Sequence, residues 1–313
     1  MKKRIISVWG LLSRTFIEFS NDKAVKLSAS LAYYTIFALP PMLLVIITTV
    51  GMIYGQEAVQ GRVFTQLDQL VGANAAAQIQ DTIRNISMSK DTRLANIIGI
   101  ATLILGATGV FTEIQDSINI IWGIKAKPKR GWLRMVLNRL VSFSMVIAIG
   151  FILLVALVLE ALLVAFNGKL KEYFPDITVY VFQGINFTVS FFVTSLLFAI
   201  IFKALPDARI KWRDVSIGAM VTAGLFMIGK FLIGYYLGQS ALGTTYGAAG
   251  SVIILLLWVY YSSIILFFGA EFTQVYAYRY GSRVTPRPYA VWVEQKEIER
   301  RESEHWQSRN KKT

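Results

Sequence analysis

The sequence predicts an all-α membrane bundle of about six transmembrane helices. Three observations predict it: long apolar runs, little charge, and a lopsided placement of lysine and arginine. Of 313 residues, 55% are hydrophobic and 16% charged, against about 25% charged in an ordinary soluble domain. Lipid-facing surface needs no charged exterior, and that is the simplest source of the deficit. Six runs reach the roughly 20 apolar residues that cross a bilayer, at 29–54, 96–122, 136–166, 178–202, 215–238 and 249–276. Lipid offers no partner to an unpaired backbone group, so such runs must be helical. A transmembrane barrel would show short segments of alternating polarity instead.

The basic residues orient the bundle. The N-terminal arm holds Lys2, Lys3, Arg4, Arg14, Lys23 and Lys26, and the loop after the second run holds Lys125, Lys127, Lys129, Arg130 and Arg134, with Arg139 just beyond. Lys203, Arg209, Lys211 and Arg213 follow the fourth run, and nine more lie from Arg279 to Lys312. Thus 25 of the 32 Lys and Arg residues fall on one side. The positive-inside bias predicts a multi-pass protein of the inner (cytoplasmic) membrane with both termini cytoplasmic. It also absorbs most of the net charge of +13 without invoking nucleic acid.

Outside the spans, residues 1–28 are expected to form a cytoplasmic amphipathic helix, with Ile5, Val8, Trp9, Leu12 and Phe16 at helical spacing. Such a helix can lie along the inner interface against anionic lipid, and it is read as an ordinary anchor before the first span in preference to a lipid sensor. No signal peptide is expected, because the apolar run 5–12 is interrupted by Ser7 and Gly10 and followed by Arg14. The six-span domain covers 29–280. Within it, 56–95 is expected to be an outer helical hairpin, with Val63, Leu67 and Leu70 on one stripe and Ile79, Ile83 and Ile86 on another. Residues 281–313 are expected to be a polar cytoplasmic tail, since Pro286 and Pro288 stop any continuing helix.

Ionisable groups inside spans are costly, roughly +2.5–3.5 kcal/mol each at the bilayer centre on insertion scales. Gly106, Gly109, Glu113, Asp116 and Asn119 recur at spacings of three and four, which places them on one helical face. The two glycines allow a neighbouring helix to approach closely. With Arg139 entering the third span and Glu271 in the last, Glu113, Asp116 and Asn119 make a candidate intramembrane polar cluster. Two readings fit it: a cation, proton or substrate site, or a buried contact that fixes packing. Lys230 and Glu160 are a candidate outer ion pair, or two side chains reaching the outer interface independently. Pro40 and Pro41 interrupt the first span, as discontinuous helices at transport sites do and as structural kinks also do.

There are no cysteines and one histidine, His305 in the tail. Thiol chemistry, disulfides and cysteine- or histidine-rich metal centres are excluded. No catalytic residues, metal site or cofactor is expected, and the protein is not expected to be an enzyme.

Three stretches resemble the YihY / virulence factor BrkB family of bacterial inner-membrane proteins. Residues 27–41 read LSASLAYYTIFALPP, 106–122 read GATGVFTEIQDSINIIW, and 246–273 read YGAAGSVIILLLWVYYSSIILFFGAEFT. The likeness runs over about residues 10–280. It implies six spans and cytoplasmic termini but supplies no activity or catalytic residues. The family once carried the label ribonuclease BN and is otherwise linked to envelope integrity, serum resistance and lipid export.

The expected function is that of a transporter or flippase-like protein for a lipid or other amphiphilic anion. The alternative is a non-transporting envelope assembly factor or scaffold. Anionic membrane lipids are the expected partners, and nucleic acid is not one.

Overall fold

The computed structural model describes residues 2–38, 109–127, 175–239 and 248–294, with Gly61 and Gln80 as isolated helical residues. Pro40, Pro41, Gly106, Arg139, Glu160, the third run, most of the 56–95 hairpin and the tail beyond 294 lie outside them.

Six helical segments make up the described part. They are α1 (Lys2–Asn21), α2 (24–38), α3 (109–121), α4 (Pro175–Ala204), α5 (Trp212–Gln239) and α6 (Ala248–Tyr280). Four short strands, β1 (Ile124–Ala126), β2 (Ala208–Arg209), β3 (Thr285–Pro286) and β4 (Ala290–Trp292), complete it. Gly184–Ala204, Trp212–Tyr236 and Val252–Tyr280 are 21, 25 and 29 residues long and apolar enough to cross a membrane. At 1.5 Å per residue the shortest spans about 30 Å, the thickness of the hydrocarbon layer. They are apolar all round, with Phe187, Phe192, Phe231 and Tyr235 exposed, as lipid contact demands. Their hydroxyls are satisfied locally. Ser195, Thr222, Ser263 and Thr273 each donate to the carbonyl four residues back, at 2.7–2.8 Å, so water is not required.

The α5–α6 seam is antiparallel and close. Gly218 lies against Thr273, and Gly269 lies against Thr222, so a Cβ on either glycine would overlap the facing threonine. Further along, Gly229 receives Tyr261 and Ile265. An aromatic line crosses three helices, Phe198 to Phe226 at 5.8 Å and Phe226 to Trp258 at 6.5 Å between ring centroids.

One end of the bundle is stitched shut. α3 stops at Gly123, whose φ of 63° is readily adopted by glycine, and the chain runs on into β1. There β1 pairs antiparallel with β4, and β2 with β3. Residues 281–294 therefore fold back as a structural strap, where the sequence pattern suggests a free polar tail. Val284 is fully buried in the same core as Trp122, Phe202 and Phe267. α6 ends at Tyr280, before either proline, where the Gly281 and Arg283 amides both donate to the Ala277 carbonyl and Arg283 takes a φ of 59°; Pro286 takes part in a ladder, because a short edge strand leaves its missing donor without cost.

α1 also differs from the simple amphipathic picture. Leu11, Thr15 and Phe19, at i, i+4 and i+8, are buried, while Trp9 and Phe16 are exposed. Phe19 meets Phe268 at 5.7 Å, and Gly10 lies against Arg279. Those two contacts run α1 antiparallel to the last turns of α6. The helix thus has a packed stripe, an exposed apolar stripe and a polar stripe.

Candidate functional site

The stitched end gathers the buried polar side chains. α3 contributes Gln115, Asn119 and Trp122, all buried. Trp122 donates its Nε1–H to the carbonyl of Ala270 at 3.0 Å, which docks α3 on α6. Asn119 and Gln115 both turn to Asp207, in the α4–α5 loop. Gln115 Nε2 donates to Asp207 Oδ1 at 3.1 Å, Asn119 Nδ2 to Oδ2 at 2.9 Å, and the Asp207 amide to Asn119 Oδ1 at 2.9 Å. Arg287 extends the network, donating its amide to the Asp207 carbonyl at 2.9 Å. On α5, Asp214 accepts both the amide and the hydroxyl of Ser282, at 3.0 and 2.9 Å. These carboxylates have donors, which offsets the cost of burying them.

Glu271 is different. It is fully buried on α6, and among the described residues neither carboxylate oxygen has a hydrogen-bond donor. Its neighbours are acidic: Asp22, in the turn between α1 and α2, faces it, and Glu18 lies one turn earlier on α1. The Asp22 contact is carboxyl to carboxyl, outside standard hydrogen-bond geometry. Glu18 is already held by Arg14 at 3.0 Å. Asp22 is half-buried, and desolvation pushes its carboxyl above its ordinary value of 3.8; the contact with Glu271 opposes the rise and the charge of Glu18 adds to it. The turn is tight. Lys23 holds φ of 54°, and its carbonyl accepts from Lys26 at 2.8 Å to start α2.

The predicted cluster is therefore divided. Asn119 is committed to Asp207, and Glu271 faces Asp22. Glu113 is half-buried and Asp116 exposed, so the face they share with Asn119 does not turn inward as a whole. Gly109 does lie close to Tyr34 of α2, 3.3 Å from where a Cβ would stand. Lys230 is exposed beside Phe231 and Leu232. Sequence reasoning missed Asp22, Asp207 and Asp214. Their signal was present: each is an acid set among basic residues, where orientation rules count only the bases. Around them Lys125, Lys127, Arg209, Lys211, Arg213, Arg279 and Arg283 are exposed at the same end.

Long apolar helices, a closed end and one buried unpaired carboxylate define a polytopic α-helical membrane protein. The chain belongs to the virulence factor BrkB family, whose sequence model it matches over residues 15–291. It is 27% identical over 276 residues to a UPF0761 membrane protein of Teredinibacter turnerae, covering 86% of this chain and 61% of that one. A second, from Saccharophagus degradans, is 26% identical over 280 residues, covering 89% and 62%. A third, from Pseudoalteromonas atlantica, is 25% identical over 267 residues, covering 84% of both. The chain thus spans about three fifths of the length of the first two. No solved structure matches it.

Proposed function

We propose that this protein moves an amphiphilic anion, a lipid or a lipid-like solute, across the inner membrane. Glu271 carries the reading. A carboxylate without a donor inside a span-length helix is a standing cost that a purely structural bundle would shed by substitution. The exposed basic residues at the same end favour an anionic headgroup. The positive-inside bias supports cytoplasmic termini, with the stitched end on that side. No enzymatic step is assigned, and lipid is the partner in place of nucleic acid.

The test is flux. Vesicles holding the purified protein should translocate a labelled anionic lipid faster than protein-free vesicles, and Glu271→Gln should change the rate. Rates equal to protein-free vesicles across a panel of anionic lipids and amphiphiles would overturn the reading.

The well-satisfied Asn119–Asp207 network favours a second reading, a static assembly factor. That predicts a partner that co-purifies in mild detergent, and Glu271→Gln losing stability and function together.

A further inference from the structure

We propose that Asp22 and Glu271 form a proton-binding site, one proton shared between two facing carboxyl groups, which latches the α1–α2 turn to α6. The site stands on packing. α1 lies on α6 through Phe19 and Phe268, 5.7 Å between ring centroids, and the turn that closes α1 brings the Asp22 carboxyl against that of Glu271. Glu271 has no exposure and no donor for either oxygen. An unpaired charge there would cost several kcal/mol after relaxation.

Among the described residues no cation compensates the pair. There the charged groups facing Glu271 are Asp22 and Glu18, and Glu18 is held by Arg14, which neutralises Glu18 itself. The other described elements packed here bring non-titrating groups: Trp122 at the end of α3 on Ala270, and Thr222 of α5 on Gly269. Two carboxyls in such a setting take up one proton between them, as like charges at close range cannot both ionise. Half-buried Asp22 is the end of the pair within reach of water, so the proton enters and leaves through the turn. Its loss leaves two carboxylates face to face, and repulsion frees the turn from α6. Its role as a coupling ion rests on the transport reading above; the latch itself does not.

Two measurements on the full-length protein in nanodiscs test the latch. In pH-difference infrared spectra, the wild type should show a buried carboxylic-acid band that disappears as pH rises. Glu271→Gln should abolish it and Asp22→Asn should shift its titration. The chain has no cysteine, so a single Thr15→Cys, at a fully buried position on the packed stripe of α1, reports the contact. Its labelling should quicken several-fold as pH rises, and stay slow at every pH once Asp22→Asn is added. A band indifferent to both substitutions, labelling that does not change with pH, or a transition driven by sodium at constant pH would overturn the proposal. A working latch in a protein that gives no flux would sink the transport reading alone.

Discussion

Asn119 and Asp207 grip each other from both sides, the Asn119 amide on the Asp207 carboxylate and the Asp207 amide on the Asn119 carbonyl oxygen, each at 2.9 Å. The pair ties α3 to the α4–α5 loop across 88 residues of chain. Both residues are buried, so removing the Asn119 amide takes one donor from the Asp207 carboxylate and the acceptor from the Asp207 amide, at about 1–3 kcal/mol. Asn119→Ala should lower the thermal midpoint in detergent accordingly. Asn119→Asp should cost more, because it replaces the amide donor with a second acceptor facing the Asp207 carboxyl.

The α5–α6 seam gives a paired comparison. Gly218→Ala or Gly269→Ala puts a methyl group into the facing threonine, and overpacking of that kind costs about 1–3 kcal/mol. Gly224, nearly two turns beyond Gly218 on α5, has nothing within 4 Å of a would-be Cβ. Gly224→Ala should therefore be neutral or stabilising, by up to about 1 kcal/mol of helix propensity. Midpoints measured side by side check the sign.

Trp122 joins packing to hydrogen bonding. Trp122→Phe keeps most of the volume and leaves the Ala270 carbonyl without its indole donor, at about 1 kcal/mol. Trp122→Ala empties a fully buried site and should cost about 3–5 kcal/mol. Similar midpoints for the two variants would mean that Trp122 fills little space in the core.

Stability should depend on pH through Asp22. Its carboxyl is raised from 3.8, so the folded state favours the protonated form. That contribution is complete below 3.8 and is lost as pH rises through the shifted value. Comparing midpoints against pH in wild type and Asp22→Asn should show the wild type losing ground on the alkaline side of that window, with a flatter profile in the variant.

The strap makes the last prediction. Val284 is fully buried, and at about 0.8 kcal/mol per methylene Val284→Ala should cost about 1.5 kcal/mol. A chain ended at Gly281 loses β3, β4 and Val284 together and should be far less stable in a detergent challenge. Unchanged stability on either test would show that the strap does not hold the end closed.

Hydropathy and charge alone define the class of this protein: apolar helices of span length and an end crowded with basic residues. Hydropathy and charge partition each segment between water and lipid almost independently of its neighbours, so a run of residues reports its own solvent. Only the tertiary structure decided that Asn119 goes to Asp207, that Glu271 faces Asp22, that Trp122 docks on Ala270 across 148 residues, and that 281–294 is a strap. Those contacts are properties of pairs, set by helix register and crossing, and the apolar runs are uniform enough around their circumference to leave the register open.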